Sequence, residues 1–324
     1  MFSTVTAQDI EAAAGRLAGV ARHTRLLKSE PLSAIAGGDV WLKLENEQLT
    51  GSFKIRGAYN TVATLSPEAQ RNGIVAASAG NHGLGCAYAA RAFGAACMIF
   101  VPVTAPAMKK AGIRALGATI DDSAPNYDAA HELAIAHATR TGATFISPQD
   151  GDAVFGGQGS VALEILADLP ALTSIVVSIG GGGLIGGIGR YLKTRAPAVR
   201  VIGVQSDQTN AMAVSVAARR VVGVPVPPTL ADGLAGQVFA EGLEVGLTVV
   251  DEIHLATEAQ IGAAIAWLHR THGLTVEGAG AVGVAALRAG TLAGLPTPAV
   301  IVVCGGNIDA DVHARLLREH PPES

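Results

Sequence analysis

Short apolar runs rich in β-branched residues alternate with alanine-rich amphipathic stretches along most of this chain, and a parallel sheet covered by helices on both faces accommodates that order best. A strand buried on both faces has no polar side to show, and runs such as Ser174-Ile175-Val176-Val177-Ser178-Ile179 show none. The pattern predicts strands over 40–44, 73–77, 96–101, 119–121, 144–146, 174–179, 200–205, 249–255 and 299–304. It predicts helices over 7–20, 52–65, 83–93, 105–116, 127–141, 153–166, 184–196, 258–272 and 279–289. The fold class expected is therefore α/β, built of mostly parallel twisted sheets covered by helices. A chain of 324 residues exceeds one small core. The self-sufficient stretch 66–148 predicts a small lobe inserted into a large one made of 1–65 and 149–324, with a ligand cleft between them.

Composition narrows the partner. The formal charge of −4 gives no electrostatic footprint for nucleic acid or for an anionic membrane. The longest apolar stretch, 172–189, is broken by glycines and is too irregular for a membrane helix. The first nine residues have neither the basic region nor the apolar core of a secretory signal, so a cytoplasmic location is expected. Cys86, Cys97 and Cys304 are odd in number and form no Cys-x-x-Cys pair; reduced thiols are expected, without a disulfide or a zinc site. Forty glycines fall in clusters, which suggests backbone turned tightly around a small molecule.

Four segments carry chemistry. Lys54, in Ser52-Phe53-Lys54-Ile55-Arg56-Gly57-Ala58, sits between a phenyl ring and a branched aliphatic, where partial desolvation lowers an amine's pKa and makes it a nucleophile and base. A snorkelling lysine at a strand-to-helix junction reads the same segment without chemistry. Gly180-Gly181-Gly182-Gly183-Leu184 follows a strand and opens a helix, the arrangement that aims successive amides at one phosphate. Gly181, Gly183 and Gly186 also satisfy the dinucleotide pattern, with Asp207 where a ribose-binding acid would fall, so a nicotinamide oxidoreductase competes. Ser78-Ala79-Gly80-Asn81-His82 offers hydroxyl, amide and helix-start donors to a carboxylate or phenolate, or else is an N-cap and turn. Cys304-Gly305-Gly306-Asn307 ends the last strand with a thiol that could touch a ring edge or simply fill space.

Together, in this order and spacing, the four segments resemble those of pyridoxal-phosphate enzymes of the tryptophan synthase β-subunit fold, and the resemblance extends nearly end to end. The branch it is most similar to is that of the serine/threonine dehydratases, which also holds serine racemase and hydroxyaspartate lyases. The resemblance implies pyridoxal 5'-phosphate as cofactor, with Lys54 as its covalent attachment point and the catalytic base. It implies that Gly180, Gly181, Gly182, Gly183 and Leu184 bind the phosphate, that Asn81 bonds the ring oxygen, and that Phe53 packs beside the ring. Cys304 would face the ring nitrogen, and a neutral thiol there favours elimination over transamination. Ser78, Ala79, Asn81 and His82 would receive the substrate. The activity implied is release of a 2-oxo acid and ammonia from a β-hydroxy L-amino acid such as L-threonine or L-serine, by a homodimer. Another hydroxy amino acid, a racemase activity, or a sensor that binds without turnover remain alternatives.

Departures from the family's pattern are informative. Ala79 stands where racemases of this branch carry a serine that works as acid and base, so efficient racemisation is not expected. The stretch Gln205-Ser206-Asp207-Gln208-Thr209-Asn210-Ala211 has an amide and a methyl where relatives hold a cation, so no metal is expected. Leu84 replaces a frequent glutamine, expected to alter the pocket wall or the helix start. Gly278 replaces a proline, expected to loosen a turn. Asp232 and Glu277 resemble acids behind the family's site, or are helix-capping charges. His269 and His272, three apart on a helix, are read as a solvated face rather than as metal ligands. The chain ends soon after the last motif, without room for an isoleucine-sensing domain, so a catabolic role is expected.

Overall fold

The computed structural model describes residues 3–78, 80–105 and 107–322. Its ten strands are β1 Leu26–Lys28, β2 Val40–Leu44, β3 Ile74–Ala77, β4 Cys97–Pro102, β5 Thr119–Ala124, β6 Thr144–Phe145, β7 Ser174–Ser178, β8 Arg200–Ser206, β9 Glu252–Ala256 and β10 Ala299–Val303. They form two sheets. The larger has the order β1-β2-β10-β7-β8-β9 and the smaller β5-β4-β3-β6. Every pairing is parallel except β1 with β2. The smaller sheet is built wholly from residues 74–145, whereas the larger takes strands from both sides of that stretch.

The strands β3, β7 and β10 are buried at every position, because helices cover both faces. Few aromatics are needed, since small residues let the helices approach closely. A Cβ on Gly157 would lie 2.3 Å from the Arg56 carbonyl oxygen, so glycine there lets helix Asp152–Asp168 rest directly on helix Lys54–Thr64. Part of the glycine load therefore serves helix packing and not the surroundings of a ligand.

Helices Glu30–Ala36, Pro67–Asn72, Ala211–Ala218, Ala240–Thr248 and Ala310–Glu319 were not expected from the pattern. The first two are one to two turns long, begin with proline in their first turn and are capped by Ser29 and Ser66, features that also mark turns. The strand expected over 249–255 begins at Glu252 instead, because Val249 closes the preceding helix.

Parallel strands in one sheet point their carboxyl ends the same way, and ligands in α/β folds gather there. β10 lies between β2 and β7, so Cys304 emerges between the chain that leads to Lys54 and the chain that leads to the glycine loop. The segment after β3 enters helix Asn81–Phe93, which packs on helix Lys54–Thr64.

Candidate active site

Lys54 is the first residue of its helix, and three backbone links fix that helix start to the end of β10. Ser52 bridges Gly305, the Phe53 amide donates to the Cys304 carbonyl at 3.1 Å, and the Gly306 amide donates to the Gly51 carbonyl at 2.9 Å. The Lys54 ammonium donates to the Pro148 carbonyl at 2.5 Å and lies 5.1 Å from the centre of the Phe53 ring. Burial brings the amine down from 10.5 to about 8, against the opposing pull of the carboxyl groups of Asp150 and Glu277. Near neutral pH a usable fraction is unprotonated, which a surface lysine does not offer.

After β7 the chain turns through Gly180 to Gly182 into helix Gly183–Arg195. Gly182, the N-cap, has φ of 108°, a conformation side chains rarely adopt. A Cβ on Gly183 would lie 3.0 Å from the Gln149 Cα, so the loop also needs small residues for packing. Among the described residues, no acceptor meets the amides of Gly180, Gly181, Gly182, Gly183 or Leu184. Five mostly buried N–H groups at a helix start, left without protein partners, suit a phosphate. Replacing Gly182 by alanine strains this turn by about 1–3 kcal/mol. The variant should bind pyridoxal phosphate at least about tenfold more weakly, measured by equilibrium dialysis. Unchanged affinity would mean that these amides hold no phosphate.

The Cys304 thiol is buried, takes a hydrogen bond from Ser178, and is pushed up to about 12 by burial, with Glu277 adding to the rise. It is a neutral group. Asn81 opens helix Asn81–Phe93, donating from Nδ2 to Glu277 Oε1 at 2.7 Å and accepting at Oδ1 from Asn307 Nδ2 at 2.6 Å. Ser78 Oγ accepts from the Gly80 amide at 3.1 Å, which leaves its O–H to donate elsewhere. Ala79, named as a substrate contact, lies outside the described residues.

The His82 side chain is engaged inside the protein. Its imidazole is buried, bonds the Ile146 carbonyl oxygen at 2.9 Å, and is pushed down to about 3 by burial and by the Lys54 charge. A neutral ring occupied in this way cannot receive a substrate carboxylate; only its main-chain N–H at the helix start can. Gly278 is likewise no loose turn, since a Cβ there would lie 2.0 Å from the Leu230 carbonyl oxygen. Leu84 packs on the smaller sheet's core, beside helix Ala107–Ala115. His272 bonds Ser29 Oγ at 2.9 Å and His269 packs edge-on against His313, so neither is simply solvated.

Gln205 spends its amide on the Ile179 and Thr209 carbonyls and the Ala213 amide. Among the described residues, no group of three or more His, Cys, Asp or Glu side chains is placed to hold a metal ion.

Residues with no role in the sequence reading complete the surroundings. The loop Pro148 to Gly151 carries the carbonyl that Lys54 meets and the Gln149 backbone against the glycine turn. Asp150, raised by burial, lines a cavity of about 530 Å³ with Ser147, Ile146 and Glu241. The cluster of turn-forming residues Ser147-Pro148-Gln149-Asp150-Gly151 was the available signal. An amine, a set of free amides, an amide donor and a neutral thiol, gathered at the carboxyl ends of parallel strands, make a donor set that fits pyridoxal phosphate.

Comparison with known proteins agrees with this donor set. The profile of the family described as "Pyridoxal-phosphate dependent enzyme" matches residues 17–305. The L-threonine ammonia-lyase of Thermotoga maritima is 42% identical over 97% of this chain and 79% of its own length. That of Geobacter sulfurreducens is 39% identical over 93% of this chain and 75% of its own. Among solved structures, maize serine racemase superposes with a TM-score of 0.91 at 29% identity, covering 97% of each chain. The processed form of threonine deaminase isoform 2 from Solanum lycopersicum does so at 0.88 and 28% identity, covering 98% of this chain and 90% of its own.

Proposed function

The chain belongs to the family of pyridoxal-phosphate dependent enzymes, and from that premise we propose that it is an ammonia-lyase that converts L-threonine or L-serine to a 2-oxo acid and ammonia. The observation that carries this reading is the Lys54 amine, lowered to about 8 and seated between the Cys304 strand end and the Pro148 carbonyl. Pyridoxal phosphate, when bound, would supply an electron sink that makes the substrate's Cα proton removable. Lys54 Nζ takes that proton from Cα. The five free amides of 180–184 would hold the cofactor's phosphate, and the Asn81 amide would donate to its ring oxygen. The substrate carboxylate is received by the Ser78 hydroxyl and the amides that open helix Asn81–Phe93. Cys304, kept neutral by burial, would put no negative charge near the ring of the bound cofactor, which supports departure of the β-hydroxyl over transfer of the amino group. The β-hydroxyl leaves as water, the resulting enamine takes a proton at Cβ to become an imine, and a second water adds at Cα and releases the nitrogen as ammonia, leaving the 2-oxo acid.

With no hydroxyl at position 79, nothing at that place returns a proton to the opposite face, and this supports elimination from the L-enantiomer over racemisation. The same reading takes residues 66–148 as a small lobe closing over the cleft and the active protein as a cytoplasmic homodimer. No helix among the described residues is long and apolar enough to cross a membrane. The test is a 2-oxo acid assay over a panel of β-hydroxy amino acids in both enantiomers. L-Threonine should give 2-oxobutanoate, with D-threonine slower by about a hundredfold or more. Absence of a 2-oxo acid from every member of the panel would overturn the assignment.

A further inference from the structure

We propose that Glu277 and Asn307 are positioning residues that lock the side-chain amide of Asn81 in one orientation, so that Asn81 can present only an N–H to the cofactor's ring oxygen. The orientation follows from a chain of donors with a single solution. Asn307 Nδ2 lies 2.8 Å from the Thr50 carbonyl oxygen, an acceptor only, so that atom must be the nitrogen. Its second hydrogen reaches Asn81 at 2.6 Å, so the Asn81 atom there must be oxygen. The Asn81 nitrogen then faces Glu277 Oε1 at 2.7 Å. Turning the Asn81 amide over would set NH₂ against the NH₂ of Asn307, a repulsive contact in place of a bond, whichever protonation state Glu277, raised to about 7 by burial, is in. The remaining Asn81 N–H has no acceptor among the described residues.

Glu277 is built for this contact and not for capping. It is the N-cap residue of helix Gly278–Arg288, yet its side chain makes no capping bond. It is 5% exposed, its own amide donates to the Gly305 carbonyl at 3.1 Å, and the Asn307 main-chain N–H donates to its carboxyl. A Cβ on Gly305 would lie 2.3 Å from Glu277 Oε1 and 3.2 Å from Asn81 Nδ2, so the residue after Cys304 leaves space for this pair. Asn81 follows a strand of the smaller sheet; Glu277 precedes, and Asn307 follows, a strand of the larger. The two bonds therefore also tie the start of helix Asn81–Phe93 across the cleft.

The test rests on the cofactor placement proposed above but reads no turnover, so its failure and that of the lyase assignment are separable. In the holoenzyme, an N–H donated to the ring oxygen favours the cofactor's long-wavelength absorption band over its near-ultraviolet band. Glu277→Leu, which removes the acceptor, and Asn307→Ala should each lower that band ratio by about fivefold, the worth of one hydrogen bond, and raise the dissociation constant of pyridoxal phosphate by a similar factor. In an Asn81→Ala background neither change should lower the ratio further, because both act through Asn81. An unchanged ratio in both single variants, or an undiminished drop once Asn81 is gone, overturns the proposal. If Glu277→Leu does not fold, Asn307→Ala with and without Asn81→Ala decides it on the same readout.

Discussion

Lys54→Ala should lose 2-oxo acid release by about a thousandfold or more, and should lose all covalent capture of pyridoxal phosphate by borohydride, while the protein stays folded. Among the described residues the side chain makes one hydrogen bond, to the Pro148 carbonyl, and the helix it begins is held at that end by the main-chain links of Ser52, Phe53 and Gly306. Lys54→Arg keeps the cation but, being always protonated, should be equally inactive. The wild-type apoprotein gives a second check. An amine reacts with an aldehyde only when neutral, so with a pKa of about 8 the rate of capture should rise through pH 8 and level off above it. A rate that climbs only above pH 10 would mean that burial does not tune this lysine, and a label on another peptide would remove Lys54 from the reaction.

Legibility in the sequence followed the range of the forces involved. The order of strands and helices was readable because hydrophobic periodicity is local, and long elements such as Tyr127–Thr141 and Glu258–His272 matched their expected limits. Three-residue β1 and the small helix Ala211–Ala218, uniform in hydrophobicity, offer no period to read. At the site, the glycine turn and Lys54 were visible because they need unusual residue types at fixed places. What Asn81 and Glu277 do for each other was not visible, since 196 positions separate them and only the meeting of the two sheets makes them neighbours. The direction of the His82 ring was not legible for the complementary reason: a motif says which residue stands at a helix start but not which way its ring turns, and here Ile146 takes it inward. Lys43 was a missed signal, a charge inside the otherwise apolar run Val40-Trp41-Leu42-Lys43-Leu44, where a parallel strand has no solvent face to give it.

That lysine belongs to a buried set of charges directly behind the active site, and Arg56→Met should destabilise the protein by about 3–5 kcal/mol, far more than loss of a surface ion pair. Lys43, Glu45 and Arg56 are almost wholly excluded from water and Glu164 nearly so. Arg56 bonds both carboxylates, reaching Glu45 at 2.7 and 2.8 Å and Glu164 at 2.6 and 3.0 Å, and also meets Ser160 Oγ from Nη1 and the Arg22 carbonyl from Nη2, whose two hydrogens are shared among three acceptors. Lys43 closes the set on Glu164 at 2.6 Å and the Thr24 carbonyl at 2.7 Å. Two cations balance two anions. Burial alone would raise Glu45, but the Arg56 charge and bonds, the Thr24 hydroxyl and Lys43 outweigh it and hold the carboxyl below its ordinary 4.5. Its contribution in the wild type is thus complete above that value and is lost as pH falls through the lower folded one. Without the guanidinium the set carries a net negative charge and burial dominates, so Glu45 titrates above its ordinary value and protonation relieves the strain as pH falls. The stability gap between wild type and Arg56→Met should therefore be largest near pH 7 and shrink towards pH 5, measured by urea unfolding at each pH. The exposed helical pair of Arg315 and Glu319 is the control, and Arg315→Met should cost little at either pH. Arg56 lies two residues beyond Lys54 in the same first turn and ties it to the end of β2 and to helix Asp152–Asp168, so the variant should also hold pyridoxal phosphate less tightly. A loss no greater than the control's, or a gap that widens towards acid, would show that the cluster is not what holds the catalytic turn in place.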